Sequence, residues 1–306
     1  MYYVGIDVGG TNLKAGLVSP EGKILSAARE PLNFTTAEAF AGTLARLSVE
    51  VIGSHPLEEI AGVGIGIPGA VEGGTVLYTA NIPMENVPLE DLFRKHLDLT
   101  VSLANDADCA AAGEFLFGCG KGSKDFVIVT LGTGVGGGMV LGGRLHTGNC
   151  CAGEVGHMVI EMDGAPCSCG RKGCWESYAS ATGLIRMARE ALEGNSHSIL
   201  RGQELNGENI FSAALSQDPL ALQVVSTYDR YLAVGLTNLV NILQPQVIAI
   251  GGGVAQAPRQ LLLDPVTQYV RDNCYGRYVG HYPKVVCATM GNDAGIAGAA
   301  LISTLL

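Results

Sequence analysis

The sequence predicts an α/β protein of two domains, each organised around a strand, a glycine turn and a second strand. Three observations predict it. The strand "YYVGIDV" passes through a glycine turn into "KAGLVS", the same order returns in "DFVIVTLGTGVGGGMVLGG", and helical stretches alternate with apolar strands along the rest of the chain. With 306 residues there is room for one large domain or two ordinary ones, and 47% hydrophobic content is ample for packed cores.

Taken in order, the first thirty or so residues read as an antiparallel meander of "YYVGIDV", "KAGLVS" and "ILSAARE", with "PEGK" as the second turn. Residues 36–53 carry helical spacing, and "IAGVGIGIPG" reads as a buried strand stopped by Pro68 and Gly69. "TVSLAN" runs directly into "DADCAAAGEFLFG", whose small and apolar residues suit a helix beginning near Asp106. Composition changes at "GCGKGSK", residues 118–124, where the chain is expected to enter its second domain. There follow a long helix from about Leu220 to Leu243, the strand "QVIAI" with "GGGVA" behind it, a helix around 258–273, the strand "KVVCATM" and a C-terminal helix "DAGIAGAALISTL". The expected division is 1–118 for a smaller N-terminal domain joined by the helix 292–306, and 119–291 for a larger domain carrying the cysteine loop.

A formal charge of −10 argues against a broad nucleic-acid surface, which would need clustered Lys and Arg. A small anion remains compatible, because oriented backbone N–H groups hold phosphate without net positive charge. No apolar run reaches the roughly 18 residues of a membrane span, and "MYYVGIDVGG" lacks a secretory start, so a cytoplasmic protein without a membrane partner is expected.

Two stretches match GxGxxG, residues 64–69 and 132–137, but neither opens a helix as a dinucleotide site requires, and no P-loop motif occurs. What remains is a tight glycine turn between strands, in "DVGGTNLK" and again in "LGTGVGGG". Without a Cβ, such turns let backbone approach phosphate oxygens closely. Asp7 is an oxygen ligand suited to Mg²⁺, and Thr11 and Lys14 are placed to meet phosphate. The alternative is that both are plain hairpin turns.

The stretch "GHMVIEMDGAPCSCGRKGCWE" supplies the thiols Cys167, Cys169 and Cys174, with His157 able to complete a tetrahedron, and zinc fits that donor set best. A redox pair is the alternative, although redox motifs are normally CxxC and the spacing here is CxC. The other cysteines, Cys109, Cys119, Cys150, Cys151, Cys274 and Cys287, read as packing residues.

"DVGGTNLKAGLV", "LGTGVGGG", "GGGV" and the cysteine stretch together resemble the ROK family of bacterial sugar kinases, within the actin-like and hexokinase-like ATPases. The resemblance runs from residue 4 to about 300. Its most specific element, GHx9CxCGx2GCxE, is matched without a gap by Gly156, His157, Cys167, Cys169, Gly170, Gly173, Cys174 and Glu176. It implies a two-domain actin-like/hexokinase-like (ribonuclease H-like) fold with an interdomain cleft, and ATP-dependent phosphorylation of a hexose at its 6-hydroxyl. Glucose is the first expectation, with N-acetylmannosamine, fructose or allose as alternatives. ATP with Mg²⁺ would be held by Asp7, Gly9, Gly10, Thr11, Asn12 and Lys14 on one side and Gly132, Thr133, Gly134, Gly252 and Gly253 on the other. Zinc would be structural, and a homo-oligomer is expected. Sugar hydroxyls would meet Asn81, Asn105, Glu154, His157 and Glu176, with Gly69 at the rim. Taken alone, Glu154 and Glu176 would read as solvated surface charges.

Phosphoryl transfer to a hydroxyl needs a carboxylate to take the proton, and "ANDADCAAAGE" puts Asn105 and Asp106 at a strand end. Asp106 is the expected base. Its local alternative is an N-cap for the following helix, a role compatible with the first. Asp108 is expected to cap or to complement the helix dipole. The family's sugar-responsive repressors carry an N-terminal winged helix; this chain reaches "GIDVGGT" by residue 5, and a repressor is not expected.

Overall fold

The first two strands are buried on both faces of their sheet, and the architecture follows from covering both with helices. The computed structural model describes residues 1–79, 82–193 and 197–306. The chain divides into unit 1, comprising Met1–Phe126, Gly138–Gly153 and Thr289–Leu306, and unit 2, comprising Val127–Gly137 and Glu154–Ala288.

In unit 1, β1 (Tyr2–Val8), β2 (Asn12–Val18) and β3 (Ile24–Pro31) form the antiparallel meander, and β1 carries β4 (Ile60–Ile67) parallel on its other side. Between β3 and β4 lies α1 (Ala37–Ile52), capped by Thr36, whose hydroxyl accepts from the Ala39 N–H at 3.1 Å. Its buried Phe40, Leu44, Leu47 and Val51 join Val4, Ile6, Ile65 and Ile67 in one core. The chain continues through β5 (Gly69–Glu72), β6 (Thr75–Thr79), β7 (Glu85–Val87), α2 (Leu89–Arg94), β8 (Val101–Asn105) and α3 (Asp106–Leu116). The main sheet has the order β3-β2-β1-β4-β8. Strands β5, β6 and β7 make a small separate sheet that sequence reading missed, because Pro68 and Gly69 signal a stop. Gly69 instead begins β5, paired with Thr79.

The C-terminal helix Asp293–Leu301 packs on α3 and on β1 and β4 at backbone contact distance. A Cβ on Gly298 would stand 1.8 Å from the Cys109 carbonyl oxygen, and one on Gly113 2.2 Å from that of Ala294. Both obstacles are backbone, so neither can swing aside. Gly298→Leu is expected to destabilise the protein by about 3 kcal/mol through overpacking, read as a lowered denaturation midpoint.

The expected boundary at residue 118 differs from the observed one. Gly138–Gly153, which the sequence division put in the larger domain, belongs with unit 1. The cause is again close packing: a Cβ on Gly138 would meet the Ala107 carbonyl oxygen at 2.6 Å.

In unit 2, β9 (Phe126–Leu131, all but its first residue) turns into the first residues of β10 (Val135–Leu141), whose remainder pairs with β11 (Arg144–Leu145) in unit 1. Four helices follow: α4 (Glu176–Ala179), α5 (Ala181–Leu192), α6 (Gly207–Leu215) and α7 (Pro219–Leu243). Asp218 caps α7 by accepting from the Ala221 N–H at 2.9 Å, and Gln244 ends it in the left-handed conformation. Then β12 (Val247–Gly251) pairs in parallel with β13 (Lys284–Cys287), with α8 (Leu263–Asn273) between them in sequence. Among the described residues no helix is long and apolar enough to cross a membrane.

One buried group in α7 has no compensation. Asp229 is 6% exposed, and its Oδ1 has no hydrogen-bond partner among the described residues. Burial pushes its carboxyl from an ordinary 3.8 up to about 8. The folded protein therefore holds a proton that the unfolded chain releases above about pH 4, so stability is lost as pH rises from there towards 8. Asp229→Asn is expected to stabilise the fold by about 2 kcal/mol at pH 8 and by much less at pH 4, measured by denaturant titration at both pH values.

Candidate active site

In unit 1 the sheet register sets the site. Asp7 on β1 lies opposite Gly66 on β4, and Ile67, one residue on, lies opposite Asn105 on β8. Asp7 and Asp106 therefore sit at the carboxyl ends of β1 and β8, parallel strands on either side of β4 in one sheet, where open α/β sheets bind ligands. The buried Cys109 thiol reports their convergence. Burial pushes its pKa well up, and the carboxylates of Asp108, Asp106 and Asp7 push it further.

The cap of α3 is Asn105, not Asp106. Asn105 Oδ1 accepts from the Ala107 and Asp108 N–H groups at 2.8 and 3.4 Å, while its Nδ2 donates to the Gly69 carbonyl at 3.1 Å. Asn105 thus ties the Gly69 rim to the helix start. Asp106 is the first helical residue, its Oδ1 accepting from Ala107 N–H at 3.0 Å. Asp108 is buried in the same first turn. Asn81 lies outside the described residues.

The first glycine turn is closed by the Gly9 N–H donating to the Asn12 carbonyl at 2.9 Å. Gly10 is exposed, with open space where a Cβ would be. Lys14, cross-strand from Asp7, approaches its Oδ2 at 3.4 Å, and the Asn12 amide donates to the Thr11 hydroxyl at 2.7 Å. Gly295, which sequence reading missed, lies over Asp7. A Cβ there would be 3.1 Å from the Asp7 carboxyl carbon.

In unit 2, Gly132, Thr133 and Gly253 line a cavity of about 650 Å³, within the size of ligand pockets. Its remaining wall includes Ala181, Phe211, Leu215, Val254 and Pro258. Sequence reading missed these residues, since apolar walls from separate helices and turns carry no motif. Gly252 has φ +83°, and a Cβ would stand 2.4 Å from the Leu131 carbonyl oxygen, so glycine is required. Gly134 is not a cavity wall. A Cβ on it would strike Glu176 Oε2 at 2.4 Å.

His157, Cys167, Cys169 and Cys174 bring one donor atom each to within 4.8 Å of one another. His157 Nδ1 is 3.7 Å from Cys167 Sγ, and the Cys169 and Cys174 sulfurs are 3.6 Å apart. A tetrahedral ion with metal–sulfur bonds of about 2.3 Å and metal–nitrogen bonds of about 2.1 Å separates its donors by about 3.6–3.8 Å, so the four residues fit zinc. The loop is shaped by hydrogen bonds from Cys167 N–H to the Arg171 carbonyl and from Gly170 N–H to the Cys167 carbonyl. The Arg171 guanidinium donates to the His157 carbonyl at 2.6 Å. Hydrogen bonds from the Arg171 backbone and side chain lower the Cys169 thiol to about 6. Beside the loop Trp175 is fully buried, its indole N–H donating to the Tyr231 carbonyl, with Gly235 leaving room for the ring.

Glu176 connects two of the predicted features. Its Oε2 accepts from the Val135 N–H of the second glycine turn at 3.0 Å, and its Oε1 from the Ser168 hydroxyl of the cysteine loop at 3.3 Å. His157 Nε2 faces Glu154 Oε2 at 4.0 Å, with the Glu154 side chain largely exposed. Of the cysteines expected to be packing residues, Cys109 and Cys274 are buried. Cys151 is exposed and Cys150 half-buried.

The ROK family model matches residues 3–304. The chain is 39% identical to a glucokinase of Halalkalibacterium halodurans over 97% of its own length and 93% of that protein. It is 38% identical to a glucokinase of Thermotoga maritima over 98% of its length and 96% of that protein. A ROK family glucokinase of Streptomyces griseus, solved with glucose and AMPPNP, superposes with a TM-score of 0.80 at 34% identity over 98% of both chains. The strand-end carboxylates, the two glycine turns and the Cys3His loop thus occur in a chain matched almost end to end, and this protein belongs to the ROK family.

Proposed function

We propose that this protein is an ATP-dependent hexose kinase that phosphorylates glucose at its 6-hydroxyl. The observation that carries this reading is the register that sets Asp7 and Asp106 at the same end of one sheet, on the strands flanking β4, in a chain 39% identical to a glucokinase. Asp106 accepts the proton of the 6-hydroxyl as its oxygen bonds to the γ-phosphorus and the bridge to the β-phosphate breaks, releasing ADP. The Ala107 N–H fixes the orientation of that carboxylate. Much of the remaining rate enhancement comes from holding both substrates and neutralising phosphate charge, since such transition states are loose.

The unit 2 cavity takes the nucleoside, and the turns at Gly9–Lys14 and Gly132–Gly134 offer backbone N–H groups to its phosphates. Asp7 would hold Mg²⁺, which when bound would supply positive charge to the phosphates. Glu154, His157 and Asn105 hydrogen-bond the sugar, as does Asn81, and Gly69 forms the rim. Glu176 contributes chiefly by fixing the second glycine turn to the cysteine loop. His157, Cys167, Cys169 and Cys174 would hold zinc as a structural ion that braces the cysteine loop.

The test is a coupled ATP-consumption assay over a panel of hexoses. ATP use that depends on added hexose, with the highest kcat/KM for glucose, is the expected result. Equal consumption with and without every sugar overturns the kinase reading, and a higher kcat/KM for another hexose overturns glucose alone.

A further inference from the structure

Cys150 and Cys151 take no part in the site described above. They lie in the loop after β11, in unit 1, with their sulfurs 3.8 Å apart and Cys151 exposed to solvent. Neighbouring side chains in extended backbone point to opposite sides. Here Cys150 has φ +65°, a left-handed conformation uncommon for a residue with a Cβ, and both sulfurs come to one side.

The spacing selects a chemistry. A trans peptide holds adjacent Cα atoms about 3.8 Å apart, closer than the roughly 4.4–6.8 Å that an ordinary disulfide spans. By contrast, two bonds of about 2.3 Å from sulfur to one pyramidal soft atom, at an angle of about 95–105°, place the sulfurs about 3.4–3.6 Å apart. At 3.8 Å the pair stands within a few tenths of an ångström of two sulfurs sharing one centre. We infer that Cys150 and Cys151 form a vicinal-dithiol site that chelates thiophilic ligands of the trivalent organoarsenical class. In the reaction R–As(OH)₂ takes up both sulfurs: two As–O bonds break, two As–S bonds form, and the thiol protons leave in two waters. Arsenic stays trivalent, so no oxidant is needed. The hydrogen bond with Cys151 holds the Cys150 thiol above its usual range, so Cys150 enters the reaction as a thiol. Occupation would clamp the chain three residues before Glu154.

The test uses zinc-loaded full-length protein and phenylarsonous acid, with intact mass and peptide mapping as readouts. One equivalent should bind, map to the peptide carrying Cys150 and Cys151, resist millimolar glutathione and be released by a small dithiol. Cys150→Ser and Cys151→Ser should each weaken binding about 100-fold, because the second sulfur adds its bond intramolecularly. Zinc content and denaturation midpoint should be unchanged in both. Absence of stoichiometric binding to the native protein overturns the inference, as does native-like binding by either variant or mapping to Cys167, Cys169 or Cys174. Mapping on the native protein decides the question even if a variant fails to fold.

Discussion

Asp106→Ala is expected to lower kcat for glucose phosphorylation about a thousandfold while leaving the KM for glucose within a few-fold of the native value, the scale of losing a general base. Asp106 is the residue to test because capping, the structural role that competes for it, falls to Asn105. Its removal should therefore leave α3 and the denaturation midpoint almost untouched. Steady-state kinetics and thermal denaturation on one preparation check this. A variant that keeps native kcat removes Asp106 from the chemistry, and one that loses most of its stability returns it to a structural role.

Cys174→Ser should act in the opposite way, through the fold. Cys174 is fully buried, next to the fully buried Trp175, and its sulfur is 3.6 Å from Cys169. Losing one ligand of a four-donor site should abolish stoichiometric zinc. It should also lower the denaturation midpoint by about 10 °C, for a loss of about 3–5 kcal/mol. Because Glu176 joins the loop to the Val135 N–H, the KM for ATP should rise along with that for glucose. Metal analysis, thermal denaturation and both KM values check the expectation. Native stability without zinc removes the metal from its structural role, and a rise in the glucose KM alone removes the tie through Glu176.

The elements readable from sequence were those whose signal is local. Short apolar runs bounded by glycine and proline turns gave β1 to β4, helical spacing over residues 36–53 marked α1, and a long helical pattern from about Leu220 marked α7. The small sheet of β5 to β7 was hidden because its first strand opens on Gly69, and only pairing with Thr79 makes that glycine a strand residue. In the site, Cys167, Cys169, Cys174 and His157 were readable from spacing. Glu176 was readable only as a member of the motif, since its bond to the Val135 N–H spans 41 residues of sequence. Gly295 and the cavity residues Ala181, Phe211 and Pro258 carry no chemistry of their own, so nothing local marks them.

By itself the sequence determined the strand and helix types, the donor set for a metal and the carboxylate at the end of a strand, because periodicity, turn chemistry and ligand spacing act over a few residues. Only the tertiary structure decided that Asn105 rather than Asp106 caps α3, that Gly138–Gly153 belongs with unit 1, and that Cys150 and Cys151 face one way. Each of these depends on which hydrogen bonds are already taken and which backbone atoms stand in contact, and those are properties of the packed chain.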